Sequence, residues 1–308
     1  AGGKLLWDAL LEKAWYLYEQ KLFKRSLSVA KRLDADCPGD ARCDEALFLA
    51  AMDLFGSKAF ERAGEYARRF FKEYPMSPLA PKLHLKLGNV LASRNQLAEA
   101  AVHYREAASL AADSSTTFDA LKHEAIAYQK MSRWKDAAGA WRELLAKFPS
   151  SQFAPEASLN IARCMMEGGD LTKAVEAYHE ALPTLDDQGK ARAYYWSGEC
   201  YRKMRNYKAA IAEFLKVPYL VPKEVLWGVT ARLKAAECYA SIERFDSAEK
   251  LYQAVIDKYG AGSDWGKAAV KGLEQVRKAA EAKKKRDEKN GQPDNPRGEG
   301  AQPQKHQR

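Results

Sequence analysis

Metal or acid–base chemistry would have to come from five histidines, His84, His103, His123, His179 and His306, and their spacing does not support it. A helix that chelates zinc places two imidazoles one turn apart with a carboxylate between them, as in H-E-x-x-H. His123-Glu124 and His179-Glu180 each lack the second imidazole, so these side chains read as solvated or half-buried helical histidines. The stretch GAGSDWGKA, residues 260–268, has the glycines and the lysine of a phosphate-binding loop. It fails in detail, because Gly266-Lys267 is followed by Ala268 where a hydroxyl must reach the magnesium ion, and no strand precedes it. It reads as a helix stop and restart. With no G-x-S-x-G elbow and no C-x-x-C pair, the sequence points to no enzyme, no cofactor and no metal.

Two of the five cysteines, Cys37 and Cys43, flank the turn CPGDARC. In an oxidising compartment they are expected to form a disulfide, provided their α-carbons come within ~7 Å. The other three, Cys164, Cys200 and Cys238, belong to a wider pattern that emerges from the elements carrying them.

Those elements are helices throughout. Strong helix formers run from Leu5 to about Lys285, and no stretch alternates apolar and polar residues as a strand would. Small residues recur at Ala14, Ala51, Gly88, Ala125, Ala162, Gly198 and Ala236, with successive differences of 37, 37, 37, 37, 36 and 38. Twelve residues after each comes a second small series, Ser26, Ala63, Ala100, Ala137, Ala174, Ala210 and Ala248. Two small series locked in phase mean two helices crossing closely at the same point of every unit. Four residues further on sit Ala30, Ala67, Tyr104, Trp141, Tyr178, Phe214 and Tyr252, mostly large rings one turn along the same face. Pro38, Pro75, Pro149 and Pro222 share one register and end second helices. Cys164, Cys200 and Cys238 lie two residues after the small position, where Val90 and Ala127 sit in other units, so they read as small buried hydrophobes.

This pattern, best seen in LKLGNVLASRNQLAEAAVHYREAASL and YYWSGECYRKMRNYKAAIAEF, resembles the tetratricopeptide repeat. The resemblance implies an all-α, right-handed superhelical solenoid of seven helical hairpins over residues 1–263. A capping helix is expected at 264–286 and a disordered basic tail at 287–308. The turns YPMSPLAP and FPSSQFAP share a P-x-S-x-x-A-P frame that resembles the bacterial envelope subgroup, which includes the barrel-assembly lipoprotein and the TolA-binding division coordinator. In the family the first helices line a concave wall that holds a peptide or helix of a partner protein. Transferring that register puts Leu11, Trp15, Tyr18, Phe48, Met52, Phe55, Leu85 and Asn89 on the wall in the first three units, and Lys122, Ile126, Arg163, Tyr195, Glu199 and Arg202 in later ones.

The formal charge of +9 is unevenly spread: the last 32 residues hold ten of the fifty Lys and Arg and five of the forty-one Asp and Glu. The body is therefore nearly balanced, and broad capture of a polyanion is not implied. No aromatic follows Trp265, so base stacking has no platform near Lys283 to Arg286. The expected partner is another protein, with no small-molecule substrate and no nucleic acid. The alternatives are an anionic-surface or nucleic-acid binder acting through the basic tail, and an accessory subunit of an enzyme complex. No run approaches the ~18 apolar residues of a membrane-spanning helix. The chain opens AGGKLLWDAL without an initiator methionine, which fits either removal of a targeting segment or a start inside a longer gene product. The subgroup resemblance implies a periplasmic or outer-membrane-associated location.

Overall fold

The computed structural model describes residues 2–38 and 42–290. Among the described residues there are fifteen α-helices, one 3-10 turn and no strand, divided into two compact units between Leu185 and Asp186. The first unit holds α1 (Gly2–Glu19), α2 (Phe23–Ala35), α3 (Cys43–Gly56), α4 (Phe60–Glu73), α5 (Ala80–Ser93), α6 (Leu97–Leu110), α7 (Ser114–Lys130), α8 (Trp134–Lys147), α9 (Ala154–Glu167), α10 (Leu171–Ala181) and the 3-10 turn Leu182–Thr184. The second holds α11 (Asp187–Lys203), α12 (Tyr207–Leu220), α13 (Val225–Ser241), α14 (Phe245–Tyr259) and α15 (Asp264–Asn290). Paired in order from α1 to α14, these make seven antiparallel hairpins. No helix among the described residues is long and apolar enough to cross a membrane.

Small residues let the two helices of a hairpin approach. The ring of Tyr104 fills the place where Gly88 lacks a side chain, and a Cβ built at Gly88 would come within 2.7 Å of it. Gly198 and Phe214 repeat the arrangement, again at 2.7 Å. Where Ala replaces Gly, as at Ala14, Ala51, Ala125, Ala162 and Ala236, it is fully buried. Tyr104, Trp141, Tyr178, Phe214 and Tyr252 are buried as well, so this ring series is core.

The turn inside each hairpin is built alike. Lys21, Lys58, Asn95, Ser132, Arg205 and Glu243 have positive φ between 56° and 62°, and Gly169 takes the same place in the fifth hairpin. The residue after each donates its N–H to a carbonyl five residues back, as Ala59 does to Leu54 and Gln96 to Leu91, both at 2.9 Å. That bond satisfies a carbonyl otherwise orphaned at the end of the first helix. Six of the seven turns thus hold an L-residue in left-handed conformation, at a cost of roughly 1 kcal/mol each.

The last helix runs to Asn290, four residues past the end expected from the sequence. Lys283 and Arg286 pair with Glu243 of α14's preceding turn, which ties this stretch down. Residues 291–308, the remainder of the segment expected to be disordered, lie outside the described residues.

Candidate functional site

The first helices of the first unit position most of the expected wall, with α1 against α3 and α5 against α7. Three of the expected wall residues prove to be core: Leu11 is 0%, Phe48 3% and Phe55 4% exposed. Leu11 is enclosed by Trp7, Ala14, Ala30, Leu33 and Ala46. Phe48 lies between the rings of Trp15 and Phe70, at 6.0 and 6.2 Å. One turn along a first helix is enough to carry a large side chain from the open face under the neighbouring hairpin, and register alone does not separate the two.

The rest of the first-unit set stays accessible. Trp15, Tyr18, Met52, Leu85, Lys122 and Ile126 are half-buried, and Asn89 and Arg163 are exposed. Trp15 is held in place, its Nε1 donating to Glu45 Oε2 at 2.8 Å and its ring edge-on to Tyr18 at 6.1 Å. Asn89 Oδ1 accepts from the Tyr104 hydroxyl at 2.9 Å, which fixes the amide and leaves its NH2 end outward. Lys122 Nζ sits over the Phe153 ring, 4.7 Å from its centre, a cation–π contact rather than a free charge. The result is a strip of indole, phenol, thioether and branched aliphatic surface with one amide and one guanidinium available to a ligand.

In the second unit Tyr195 packs against Trp196, Phe214 and Trp227, with centres 5.2 to 5.5 Å apart, and burial, aided by Glu199, pushes its phenol up to about 12. Glu199, expected on the open wall, is only 7% exposed and pairs with Arg202 at 2.7 Å. Leaving that carboxylate buried without its guanidinium would be costly, so the pair acts as one structural unit and Arg202 is not a free charge.

Several chemically notable groups escaped the sequence reading. Asp53 is fully buried. Neither of its carboxyl oxygens meets a hydrogen-bond donor, because the nearby Ser26 hydroxyl donates to the Ala14 carbonyl at 3.0 Å. Burial pushes the Asp53 acid up to about 7. Glu124 is also fully buried, and burial raises it despite Arg105, which bridges it to Glu143. His84 and His103, nineteen residues apart, bring their Nδ1 atoms to 2.9 Å, with Phe71 stacked on His84 at 3.7 Å. Burial and His103 lower His84 to about 4. A signal for two of these was present: Asp53 occupies the slot that holds Val90, Ala127 and Cys164, and Glu124 the slot of Ala50 and Leu87. A charged residue in a core slot marks a buried ionisable group. The histidine pair has no such signal, since only the helix crossing brings its members together. Among the described residues no three His, Cys, Asp or Glu side chains converge as a metal site.

Cys37 and Cys43 are disulfide-bonded, with α-carbons 5.8 Å apart, and Cys164, Cys200 and Cys238 are buried free thiols. Burial pushes the Cys238 thiol up to about 11, which makes it inert at neutral pH.

Profiles described as tetratricopeptide repeat match residues 48–115, 124–190, 191–220 and 230–261. No curated protein matches the chain. Among solved structures, a chain of the Naa15/Naa10 complex bound to HypK-THB is similar at TM-score 0.64 and 17% identity, over 94% of this chain and 42% of its own length. The present chain therefore spans less than half of that relative. The C-terminal part of a TPR repeat-containing protein from Cytophaga hutchinsonii is similar at TM-score 0.57 and 12% identity, over 85% of this chain and 99% of its own. At these identities the likeness is one of fold.

Proposed function

The chain belongs to the tetratricopeptide repeat family, and we propose that it is a non-enzymatic scaffold whose first unit holds an extended or helical segment of another protein. The observation that carries this reading is the strip on the first helices. After Leu11, Phe48 and Phe55 are withdrawn as core, Trp15, Tyr18, Met52, Leu85 and Ile126 still present apolar surface beside the exposed Asn89 and Arg163. Large, rotamer-poor side chains held rigidly beside a few oriented polar groups are what recognition of a peptide requires. Asn89 suits a peptide backbone, because its carbonyl is occupied by Tyr104 and its NH2 is left to donate.

The bacterial envelope is the proposed setting. Its support is the Cys37–Cys43 disulfide, which persists only where thiols are not kept reduced, together with the turn frame around Pro75 and Pro149. The test is photo-crosslinking in native extract from probes replacing Tyr18, Met52 or Leu85, against a control probe at Val102, exposed on the second helix of the third hairpin. One protein captured from the three wall positions and not from Val102 is expected. Equal capture from Val102, or none from the wall, would sink the proposal.

A further inference from the structure

Six residues after the small position, where the first helix of a hairpin ends, the array carries Gln20, Ser57, Arg94, Met131, Met204 and Ile242. In the fifth hairpin that position is Gly168. Its backbone is ordinary, at φ −75° and ψ −3°, so the turn itself does not call for a glycine. What the glycine leaves is room. It lines a cleft of about 350 Å³ formed by α8, the end of α9 and the start of α10, a volume within the range of small-molecule sites.

The covered part of the cleft is apolar. Ala138 is buried, and Trp134 and Met165 are half-buried. An indole and a thioether both make favourable contacts with an aromatic ring. The open part is cationic, with Lys135, Arg142 and Lys173 all exposed. Among the described residues that line the cleft Asp170 is the only acid, and Lys173 holds it at 2.8 Å.

Two cations are therefore left over. Elsewhere the array satisfies the Arg142 slot: Arg105, its equivalent in the third hairpin, reaches Glu124 at 2.8 Å and Glu143 at 2.5 Å. One repeat on, Ile161 stands in the place of Glu124, and among the described residues no carboxylate pairs with Arg142 or Lys135. Arg142 also acts electrostatically on Lys173 and on the Cys164 thiol, so these groups share one space. A cleft lined by one sign of charge over apolar walls concentrates ligands of the opposite sign.

We infer that this cleft binds a small aromatic carboxylate, with its ring against Trp134 and Met165 in the space beside Gly168 and its carboxylate taken by Arg142 and Lys135. Arginine can hold a carboxylate through two parallel N–H bonds. An inorganic anion would leave the apolar lining uncovered, and a neutral ring would leave the cations unpaired. The cleft shares no residue with the strip on the first helices, so either site can fail without the other.

The probe is 3-phenylpropionate, titrated into the full chain and followed by ligand-observed NMR. Saturation is expected with a Kd below about 1 mM, the affinity open to a ligand of this size. Arg142→Gln should weaken binding about ten-fold, and 3-phenylpropanamide, the same shape without the charge, should bind about ten-fold less well than the acid. Gly168→Met should abolish binding, because a Cβ there stands 3.3 Å from the Trp134 Cβ and the side chain takes the ring's place. Met131 and Met204 show that this turn accepts a methionine. Circular dichroism checks both variants for the native helix signal, and Arg142→Gln, at an exposed residue without an ion pair, carries the test if Gly168→Met loses it. The inference is overturned by no saturation up to about 10 mM, by equal binding of amide and acid, by wild-type affinity in Arg142→Gln, or by wild-type affinity in folded Gly168→Met. Tighter binding of acetyl-glycyl-glycyl-phenylalanine than of 3-phenylpropionate would also overturn it, since the ligand would then be the end of a polypeptide rather than a free acid.

Discussion

Gly88→Ala and Gly139→Ala are the same chemical change in the middle of a helix, and they should move stability in opposite directions. Replacing glycine by alanine inside a helix is favourable by about 1 kcal/mol through helix propensity. At Gly139, on α8, nothing lies within 4 Å of the place a Cβ would occupy, so that gain should appear almost undiminished. At Gly88 the new methyl would stand 2.7 Å from the Tyr104 ring. The ring has nowhere to go: it is buried, its hydroxyl is bonded to Asn89, and it is stacked on His123 at 5.4 Å. Overpacking of this kind costs ~1–3 kcal/mol, and displacing the phenol adds about 1 kcal/mol for the lost hydrogen bond. The net expectation is a loss of roughly 2 kcal/mol for Gly88→Ala against a gain of up to ~1 kcal/mol for Gly139→Ala. Urea midpoints read the global effect, and amide exchange in α5 and α6 reads the local one, which matters because repeat arrays need not unfold in one step. Pairing Gly88→Ala with Tyr104→Leu should recover part of the loss, a coupling of about 1 kcal/mol in a double-mutant cycle. If Gly88→Ala stabilises the chain as Gly139→Ala does, the close helix crossing argued from the small-residue series is wrong.

Four further outcomes follow from the geometry. The folded state holds the Asp53 proton up to about pH 7, far above the ordinary 3.8 of an aspartate, so this group should make the chain more stable as pH falls from about 7 towards 4; Asp53→Val should remove that slope and raise the urea midpoint at pH 8 by the equivalent of roughly 2 kcal/mol or more, and an unchanged slope would refute it. The histidine pair acts with the opposite sign: His84 is lowered from 6.5 to about 4 and His103 is lowered too, so their contribution is complete above about pH 6.5 and is lost as pH falls towards 4, and His84→Phe should flatten that part of the curve. Replacing Cys37 and Cys43 by serine should cost about 2 kcal/mol by the loop-entropy estimate for so short a loop, and mass mapping of unreduced protein should find Cys164, Cys200 and Cys238 as thiols. Lys58→Gly, at φ 61°, should stabilise by ~0.5–1 kcal/mol once relief of the left-handed strain is set against the extra freedom of glycine in the unfolded chain; a fall in the midpoint would show that the turn carries no strain.

How far the candidate site could be read from the sequence depends on the residue. Trp15, Met52 and Asn89 sit at accessible positions of the first helices, as the register implies, whereas Phe48 and Phe55, one turn either side of Met52, are buried although their register equivalents Leu85 and Tyr18 are accessible. The difference lies in the neighbours. Phe48 meets Phe70 and Trp15 from two other helices, and the sequence of α3 contains neither. Glu199 is a similar case: its burial depends on Arg202 folding back over it.

What the sequence determined by itself is everything that repeats. A small residue every 36 to 38 positions, a second one twelve further on and a ring four beyond that require two helices crossing at a fixed point seven times, because no other arrangement buries all three series at once. The helix class, the hairpin count and the burial of three cysteines follow from that periodicity. Tertiary structure decided what happens once only: that His84 meets His103, and that Asp53 is sealed in without a donor. Periodicity reports the average environment of a register position. A side chain's partners, burial and proton affinity depend on the particular neighbours that other helices bring to it, and those neighbours are distant in sequence.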